Sequence, residues 1–200
     1  GDVVVRQMPQ SLTPLEIYQS PPLADILRGI NKFSNNIAAR QLYLTLGTGD
    51  AVIKNSPATL AKSDAAIQQW LAAKQLNFPE LVVENGSGLS RKEQISARHM
   101  GQLLLAAFNS PVMPEFMSSL PIAAVDGTLK NRFADTPVKG LAHMKTGALN
   151  NVRALAGYLL DKMGRRVVVV FFVNHDQAGQ SRIAMDTLVH ERAAILLPCS

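Results

Sequence analysis

The 200-residue sequence predicts an α+β fold, with helices packed on an antiparallel sheet whose strands come late in the chain. Two observations predict this class. Apolar residues recur at helical spacing through much of the first 120 residues, whereas residues 141–173 contain three extended apolar runs. Hydrophobic residues make up 47% of the chain and charged residues 18%, a composition typical of one globular domain that buries a core.

The chain begins with two short segments that we expect to be extended, Val3–Val5 and Leu15–Tyr18, separated by prolines. Pro22 suits the first turn of a helix, where its missing N–H leaves no hydrogen bond unmade. An amphipathic stripe predicts that this first helix runs to a break near residues 31–36. The stripe consists of Leu23, Ile26, Leu27 and Ile30.

Further helical stripes follow this break. The second helix is expected to end at Gly47, and the third to begin at a cap formed by Ser63 and Asp64. Ser96 is a candidate cap for a fourth helix, and residues 114–120 suit a short fifth helix. The apolar faces comprise Ile37, Ala38, Leu42 and Leu46; Ile67, Trp70 and Leu71; and Ala97, Met100, Leu104, Ala107 and Phe108.

Extended segments dominate the last third of the chain. Earlier, Leu81–Val83 suits a short extended stretch and Asn85–Gly88 a turn. Residues 161–164 suit a hairpin turn, and Val167–Val173 is apolar on both faces, which predicts a central strand. An amphipathic helix is expected over Gln180–Leu197. The three predicted strands are Leu141–Thr146, Val152–Leu160 and Arg165–Val173.

Charge and cysteine content narrow the function classes. The net charge of +5 permits an anionic partner, but the lysines and arginines are scattered and no nucleic-acid motif accompanies them, so nucleic-acid binding is a minor alternative. The single cysteine, Cys199, allows no internal disulfide, and His175 and His190 lack the spacing of a metal site. We therefore expect no metal or cofactor. No apolar run is long enough for a membrane span.

Two short motifs point to chemistry. Ser34-Asn35-Asn36 lies at the break between the first two helices, and Lys145-Thr146-Gly147 lies near the start of the strand group, with Lys145 111 positions after Ser34. Each motif alone has a purely structural explanation. Serine and asparagine favour helix caps, and Lys-Thr-Gly suits a strand that leads into a turn. Their order along the chain gives a more specific interpretation.

The stretches around both motifs resemble the D-Ala-D-Ala carboxypeptidase/endopeptidase branch of the low-molecular-mass penicillin-binding proteins. The similar stretches are SPPLADILRGINKFSNNIAARQL, ENGSGLSR, DGTLKNRF and AHMKTGALNNVRALAGYL, and the resemblance extends over about residues 15–195. The S-x-N and K-T-G motifs accompany S-x-x-K in penicillin-recognising serine hydrolases. The resemblance implies a partial β-lactamase/transpeptidase-like domain, with residues 1–200 as its C-terminal portion.

The resemblance also implies roles for individual residues. Ser34 would relay a proton to the leaving amine, and Asn36 would contact the substrate carbonyl and orient the catalytic lysine. Lys145 would supply a positive field that also lowers the proton affinity of Ser34. The Thr146 hydroxyl would bind the terminal carboxylate of the substrate.

Gly147 and Ala148, the two residues after Thr146, would also line the substrate site. Gly147 has no side chain, so the substrate backbone can lie beside the strand, and the N–H of Ala148 would be one donor of the oxyanion hole. Many relatives have threonine where this chain has Ala148, so one hydroxyl contact to the carboxylate is expected to be lost.

One part of the family's active site is missing from this sequence. The nucleophile belongs to S-x-x-K, in which the lysine activates the serine. None of the serines in these 200 residues is followed by lysine three positions later. In the family that motif lies far N-terminal, so the chain looks like the C-terminal piece of a transpeptidase-like domain, cut after inserted domains.

The first hypothesis is that the parent protein is a serine D-Ala-D-Ala carboxypeptidase/endopeptidase. It would act on peptidoglycan stem peptides through an acyl-enzyme, bind β-lactams and lie in the bacterial periplasm. The alternative is a catalytically silent domain that binds peptidoglycan or a partner, because the nucleophile is absent. The missing N-terminal segment, or a second copy in a homodimer, is expected to cover an open sheet edge or apolar face.

Overall fold

The computed structural model describes residues 15–49 and 57–194, together with Val5 and Thr13. Within these ranges the helices are α1 (Leu23–Phe33), α2 (Asn36–Leu46), α3 (Leu60–Ala73), α4 (Ala97–Phe108), α5 (Met113–Ser119) and α6 (Ser181–Ala194). The strands are β1 (Ala142–Leu149), β2 (Val152–Leu160) and β3 (Arg166–Asn174). Short 3₁₀ turns cover Gly127–Leu129 and Ala178–Gln180. These elements confirm the predicted α+β class.

The three strands form an antiparallel sheet in the order β1-β2-β3. Lys145 on β1 lies opposite Ala156 on β2, and Gly147 lies opposite Ala154. The turn between β2 and β3 is stabilised by Asp161, whose carboxylate accepts hydrogen bonds from the backbone N–H groups of Met163 and Arg165, both at 2.9 Å. The predicted hairpin is therefore confirmed.

Helices cover the two faces of the sheet unequally. Helix α6 packs on one face and buries the larger core, whereas α4 packs on the other face against β3. The core beneath α6 includes Met144, Leu155, Leu159, Val169, Met185 and Val189. The core beneath α4 includes Leu104, Met117, Leu120 and Tyr158. Because α4 covers only part of its face, the ends of the strands near Gly147 border an open cleft.

Helix boundaries follow local capping. Pro22 is the residue just before α1 rather than part of its first turn, and α2 is followed by Gly47 as predicted. Ser96 caps α4, because its hydroxyl accepts a hydrogen bond from the His99 N–H at 3.1 Å. Residues 15–22 have no regular secondary structure. Val3, Val4 and residues 195–197 of the last predicted helix lie outside the described residues.

The described structure departs from two further sequence-based predictions. The third helix begins at Leu60 with Thr59 as its cap, and Ser63 lies inside the helix, where its buried hydroxyl donates to the Thr59 carbonyl. The middle strand of the described sheet is β2, whereas β3 lies at its edge. Val167–Val173 is apolar on both faces because helices pack above and below the strand. This pattern does not show whether strands pair with both edges of β3.

In the ranges that the structure covers, no helix has the length and apolarity needed to cross a bilayer. Over the same ranges, histidine, cysteine and acidic side chains form no group of three or more that could bind a metal ion.

Candidate active site

The break between α1 and α2 positions Ser34. Helix α1 ends at Phe33, and Ser34 adopts the left-handed conformation with φ 54° and ψ 48°. Such a conformation costs a non-glycine residue roughly 1–3 kcal/mol, so the surrounding structure must hold it. Asn35 caps the next helix, because its side-chain oxygen accepts a hydrogen bond from the Ala38 N–H at 3.0 Å. The two helices are therefore separated only by Ser34 and Asn35, and the Ser34 hydroxyl lies at this junction.

Lys145 brings the two sequence motifs together. Its Nζ donates to the Ser34 hydroxyl oxygen at 3.0 Å and to the Thr146 carbonyl at 2.8 Å. Burial lowers the pKa of Lys145, because desolvation disfavours the charged ammonium. A lysine that gives up its proton more readily, hydrogen-bonded to a hydroxyl, is suited to exchange protons with that hydroxyl.

A second threonine, Thr128, lies beside Thr146 and belongs to a different element. The hydroxyl groups of Thr146 and Thr128 are hydrogen-bonded at 2.9 Å, and Thr128 is exposed in the 3₁₀ turn Gly127–Leu129. Sequence reasoning did not single out Thr128. The Asp126-Gly127 pair is a turn signal that marks the segment, but it does not show that the turn reaches β1.

The outer edge of β1 is paired only along its first half. A bridge joins His143 to Ile122, and the Met144 N–H donates to the Pro121 carbonyl at 2.9 Å. From Lys145 onward, no strand of the described ranges pairs with this edge. The Gly147 backbone is half-buried and Ala148 is exposed. This edge leaves room for an extended peptide to pair with β1.

Asn36 faces a loop on the other side of the helix junction. Its side-chain Nδ2 donates to the Ser87 carbonyl at 2.6 Å. The loop is the predicted turn 85–88, closed by the Ser87 N–H donating to the Asn85 side chain at 2.9 Å. Gly86 is required there, because an added Cβ would lie 2.4 Å from the Tyr43 Cβ. Asn36 is thus held by backbone, and its contact with substrate is still a prediction.

An apolar cleft of about 880 Å³ opens beside Gly147 and Ala148. Side chains of α3, α4, the 78–96 segment and the sheet line it. The lining includes Trp70, Leu71, Phe78, Leu103, Ala154 and Phe172. Trp70 is 43% exposed, so part of this large apolar side chain faces solvent.

His99 has a structural role. Its Nδ1 lies 2.6 Å from Glu80 Oε1, and its ring stacks on Phe78 with centroids 4.7 Å apart. Several hydrogen bonds lower the pKa of the Glu80 carboxyl to about 2, and the one to Ser96 has the largest effect. The cluster therefore fixes the start of α4.

The sequence is similar to known proteins over nearly its whole length. The sequence matches the D-Ala-D-Ala carboxypeptidase 3 (S13) family over residues 1–193. It is 30% identical over 202 aligned residues to a D-alanyl-D-alanine carboxypeptidase of Actinomadura sp. (strain R39), covering 97% of this chain and 36% of that protein.

Solved structures of other proteins share the fold of this chain. Penicillin binding protein 4 (dacB) from Haemophilus influenzae superposes with a TM-score of 0.69 and 28% identity, covering 77% of this chain and 34% of that one. A class A β-lactamase from Bacteroides cellulosilyticus DSM 14838 has a TM-score of 0.55 at 14% identity, covers 85% of this chain and 63% of that one, and shares the fold alone.

The chain spans little more than a third of the length of the carboxypeptidase and the penicillin-binding protein that it matches. The fold is accordingly a partial β-lactamase/transpeptidase-like domain, as predicted. Because the family match covers nearly all of the sequence, the chain belongs to the D-Ala-D-Ala carboxypeptidase 3 (S13) family.

Proposed function

We propose that the parent protein is a serine-type D-Ala-D-Ala carboxypeptidase/endopeptidase that acts on peptidoglycan stem peptides through an acyl-enzyme and is acylated by β-lactams. The observation that carries this proposal is the 3.0 Å hydrogen bond between Lys145 and Ser34 beside an open strand edge. Family membership and the names of the relatives support it. The family's enzymes also support a location outside the cytoplasm, which we propose to be the periplasm.

Substrate binding would use β1. A stem peptide would pair with the outer edge of the strand from Lys145 onward. Because Gly147 has no side chain, the peptide backbone can approach the strand there. The peptide's terminal carboxylate would lie near the Thr146 hydroxyl in the field of Lys145. This arrangement selects a peptide that ends in a free carboxylate.

The chemistry would divide between this chain and the segment that carries S-x-x-K. In that segment, the lysine takes the proton of the nucleophilic serine, whose oxygen attacks the peptide carbonyl. The N–H of Ala148 would stabilise the oxyanion, and Ser34 would pass the proton on to the leaving amine. Asn36 would contact the substrate carbonyl. Water then hydrolyses the acyl-enzyme and regenerates the serine.

The open surfaces of the chain support its proposed place as the C-terminal portion of the domain. The apolar cleft lies beside Gly147 and Ala148, where a nucleophile must approach the oxyanion donor. The outer edge of β3 also has no partner strand in the described ranges. We infer that the S-x-x-K segment fills the cleft and that further strands continue the sheet from β3.

Replacing Ser34 in the full-length parent protein tests the proposed function. We expect Ser34→Ala to lower kcat for D-alanine release from a stem pentapeptide by roughly 10²–10⁴-fold, since it removes the proton relay. Ser118→Ala is a matched control, because Ser118 is half-buried and its hydroxyl donates to the Glu115 carbonyl of its own helix. A Ser34→Ala variant as active as the wild type would contradict the relay. A wild-type protein that binds the peptide but releases no D-alanine would favour the silent binding domain.

A further inference from the structure

We propose that Thr128 and Thr146 together form a two-hydroxyl clamp for the terminal carboxylate of the substrate, so that Thr128 is a specificity-determining residue. The inference rests on the proposed function, because it assigns a further residue to the same site. The carrying observation is the 2.9 Å hydrogen bond between the two hydroxyl oxygens. Because Thr128 is exposed, its hydroxyl is open to a ligand that approaches β1.

The chemistry of a carboxylate favours two hydroxyl donors. Each of its oxygens accepts hydrogen bonds, and each threonine hydroxyl has one proton to donate. In the free protein one hydroxyl donates to the other. With a carboxylate in place, both can rotate to donate to it, next to the positive charge of Lys145.

Strand β1 supplies only one of the two hydroxyls. Thr146 and Ala148 lie on the same face of the strand, since side chains alternate along it, and Ala148 has no hydroxyl. The second hydroxyl therefore comes from outside the strand. Thr128 is the residue that the described contacts place beside Thr146.

The turn that carries Thr128 is held firmly against α1. Asp126 pairs with the Lys32 ammonium at 2.6 Å and also accepts from the Ile122 N–H at 2.9 Å. Gly127 has φ +56°, and an added Cβ would lie 2.6 Å from the Lys32 carbonyl oxygen. Leu129 is fully buried. A hydroxyl on so constrained a turn is preorganised, which strengthens the hydrogen bonds that it makes to a ligand.

This support also links the clamp to the proton relay. Lys32 lies two residues before Ser34 on the same helix end, so one partly buried ion pair fixes the Thr128 turn relative to the Ser34 hydroxyl. A carboxylate held by Thr128 and Thr146 would therefore lie at a set distance from Ser34.

The test uses the full-length parent protein and two peptides: a stem pentapeptide that ends in D-Ala-D-Ala, and the same peptide with a C-terminal carboxamide used as a competitor. We expect Thr128→Val to raise KM for the carboxylate peptide by about ten-fold, because a hydrogen bond to a charged group is lost. The inhibition constant of the carboxamide should change less than two-fold. Thr128→Ser, which keeps the hydroxyl, should restore the wild-type KM.

Thr187→Val is the matched control. Thr187 is also exposed, and its hydroxyl donates to the Ile183 carbonyl of its own helix at 3.0 Å, so the variant should match the wild type on both peptides. Thr128→Val values equal to the wild type, or shifted equally for both peptides, would overturn the clamp while leaving the proposed function standing. A wild-type protein that releases no D-alanine would overturn both.

Discussion

Lys145 is the residue at which the two motifs meet, and its environment explains why a lysine suits the position. The side chain is half-buried and donates to both Ser34 and the Thr146 carbonyl. Burial lowers the pKa of the ammonium group without removing its hydrogen-bond partners. The same group can therefore attract a carboxylate when charged and exchange a proton with Ser34.

The lowered pKa of Lys145 predicts an alkaline limit to penicillin acylation of the parent protein. As pH rises through that lowered pKa, the ammonium loses its charge, so acylation should fall at a pH below 10.5, the ordinary value for lysine. Lys145→Arg keeps its charge across this range. We expect this variant to acylate more slowly, and to lose the alkaline decline in a stopped-flow pH profile. An identical decline in the variant would assign the titration to another group.

At the residue scale, the sequence predicted the residues of local motifs and missed those defined by contacts. Ser34 and Lys145 were predicted because each belongs to a short motif whose order along the chain is informative. Thr128 and the Lys32–Asp126 pair depend on a turn meeting a helix and a strand across the fold. Neither periodicity nor spacing contains that information.

Among the elements, the pairing of β1 with β2 depends on one glycine. Gly157 has φ +154°, and an added Cβ would lie 2.2 Å from the His143 carbonyl oxygen and 2.7 Å from the Met144 Cα. The two strands therefore approach closely just before Lys145. This contact sets the position of β1, and with it the position of the proposed carboxylate-binding residues.

Gly157→Ala should destabilise the sheet. The Cβ would meet backbone that is unable to move without shifting β1, so we expect a loss of about 3 kcal/mol in the free energy of unfolding. Gly101→Ala is the matched control, because Gly101 lies inside α4 with nothing within 4 Å of an added Cβ. That variant should gain about 0.5–1 kcal/mol from helix propensity.

Denaturant unfolding and hydrogen exchange of the β1–β2 amides in the parent protein would measure both changes. Equal stability of the two glycine variants would show that the close approach at Gly157 does not constrain the sheet.

The sequence predicted the presence of each helix and strand more accurately than its position in the fold. Strand β2 was placed at its observed bounds, because apolar residues and the Asp161 turn mark its ends. Strand β3 lies at the edge of the described sheet rather than at its centre, since an apolar strand can be covered on both faces while one edge lacks a partner. The further strands that we propose would place β3 at the centre of the parent domain's sheet. The cap of α3 was misassigned for a related reason. Ser63 suits a cap locally, but it is buried by tertiary packing.

Across the whole molecule, this chain holds two walls of a site that we propose is completed by another segment. Lys145 on β1 and Ser34 at the α1–α2 junction are joined by a direct hydrogen bond, and an apolar cleft of about 880 Å³ lies beside Gly147 and Ala148 of the same strand. No serine of the sequence is followed by lysine three residues later, so the motif that supplies the nucleophile in related hydrolases is absent. We propose one explanation for both the open cleft and the absence of S-x-x-K: the segment that carries this motif fills the cleft in the parent protein.

Labelling with a fluorescent penicillin, followed by mass-spectrometric mapping of the adduct, tests this account most directly. The full-length parent protein and the isolated residues 1–200 are compared under the same conditions. We expect the full-length protein to form a covalent adduct on a serine outside these 200 residues, and the isolated chain to form none. An adduct on any serine within residues 1–200, or an unlabelled full-length protein, would contradict the account.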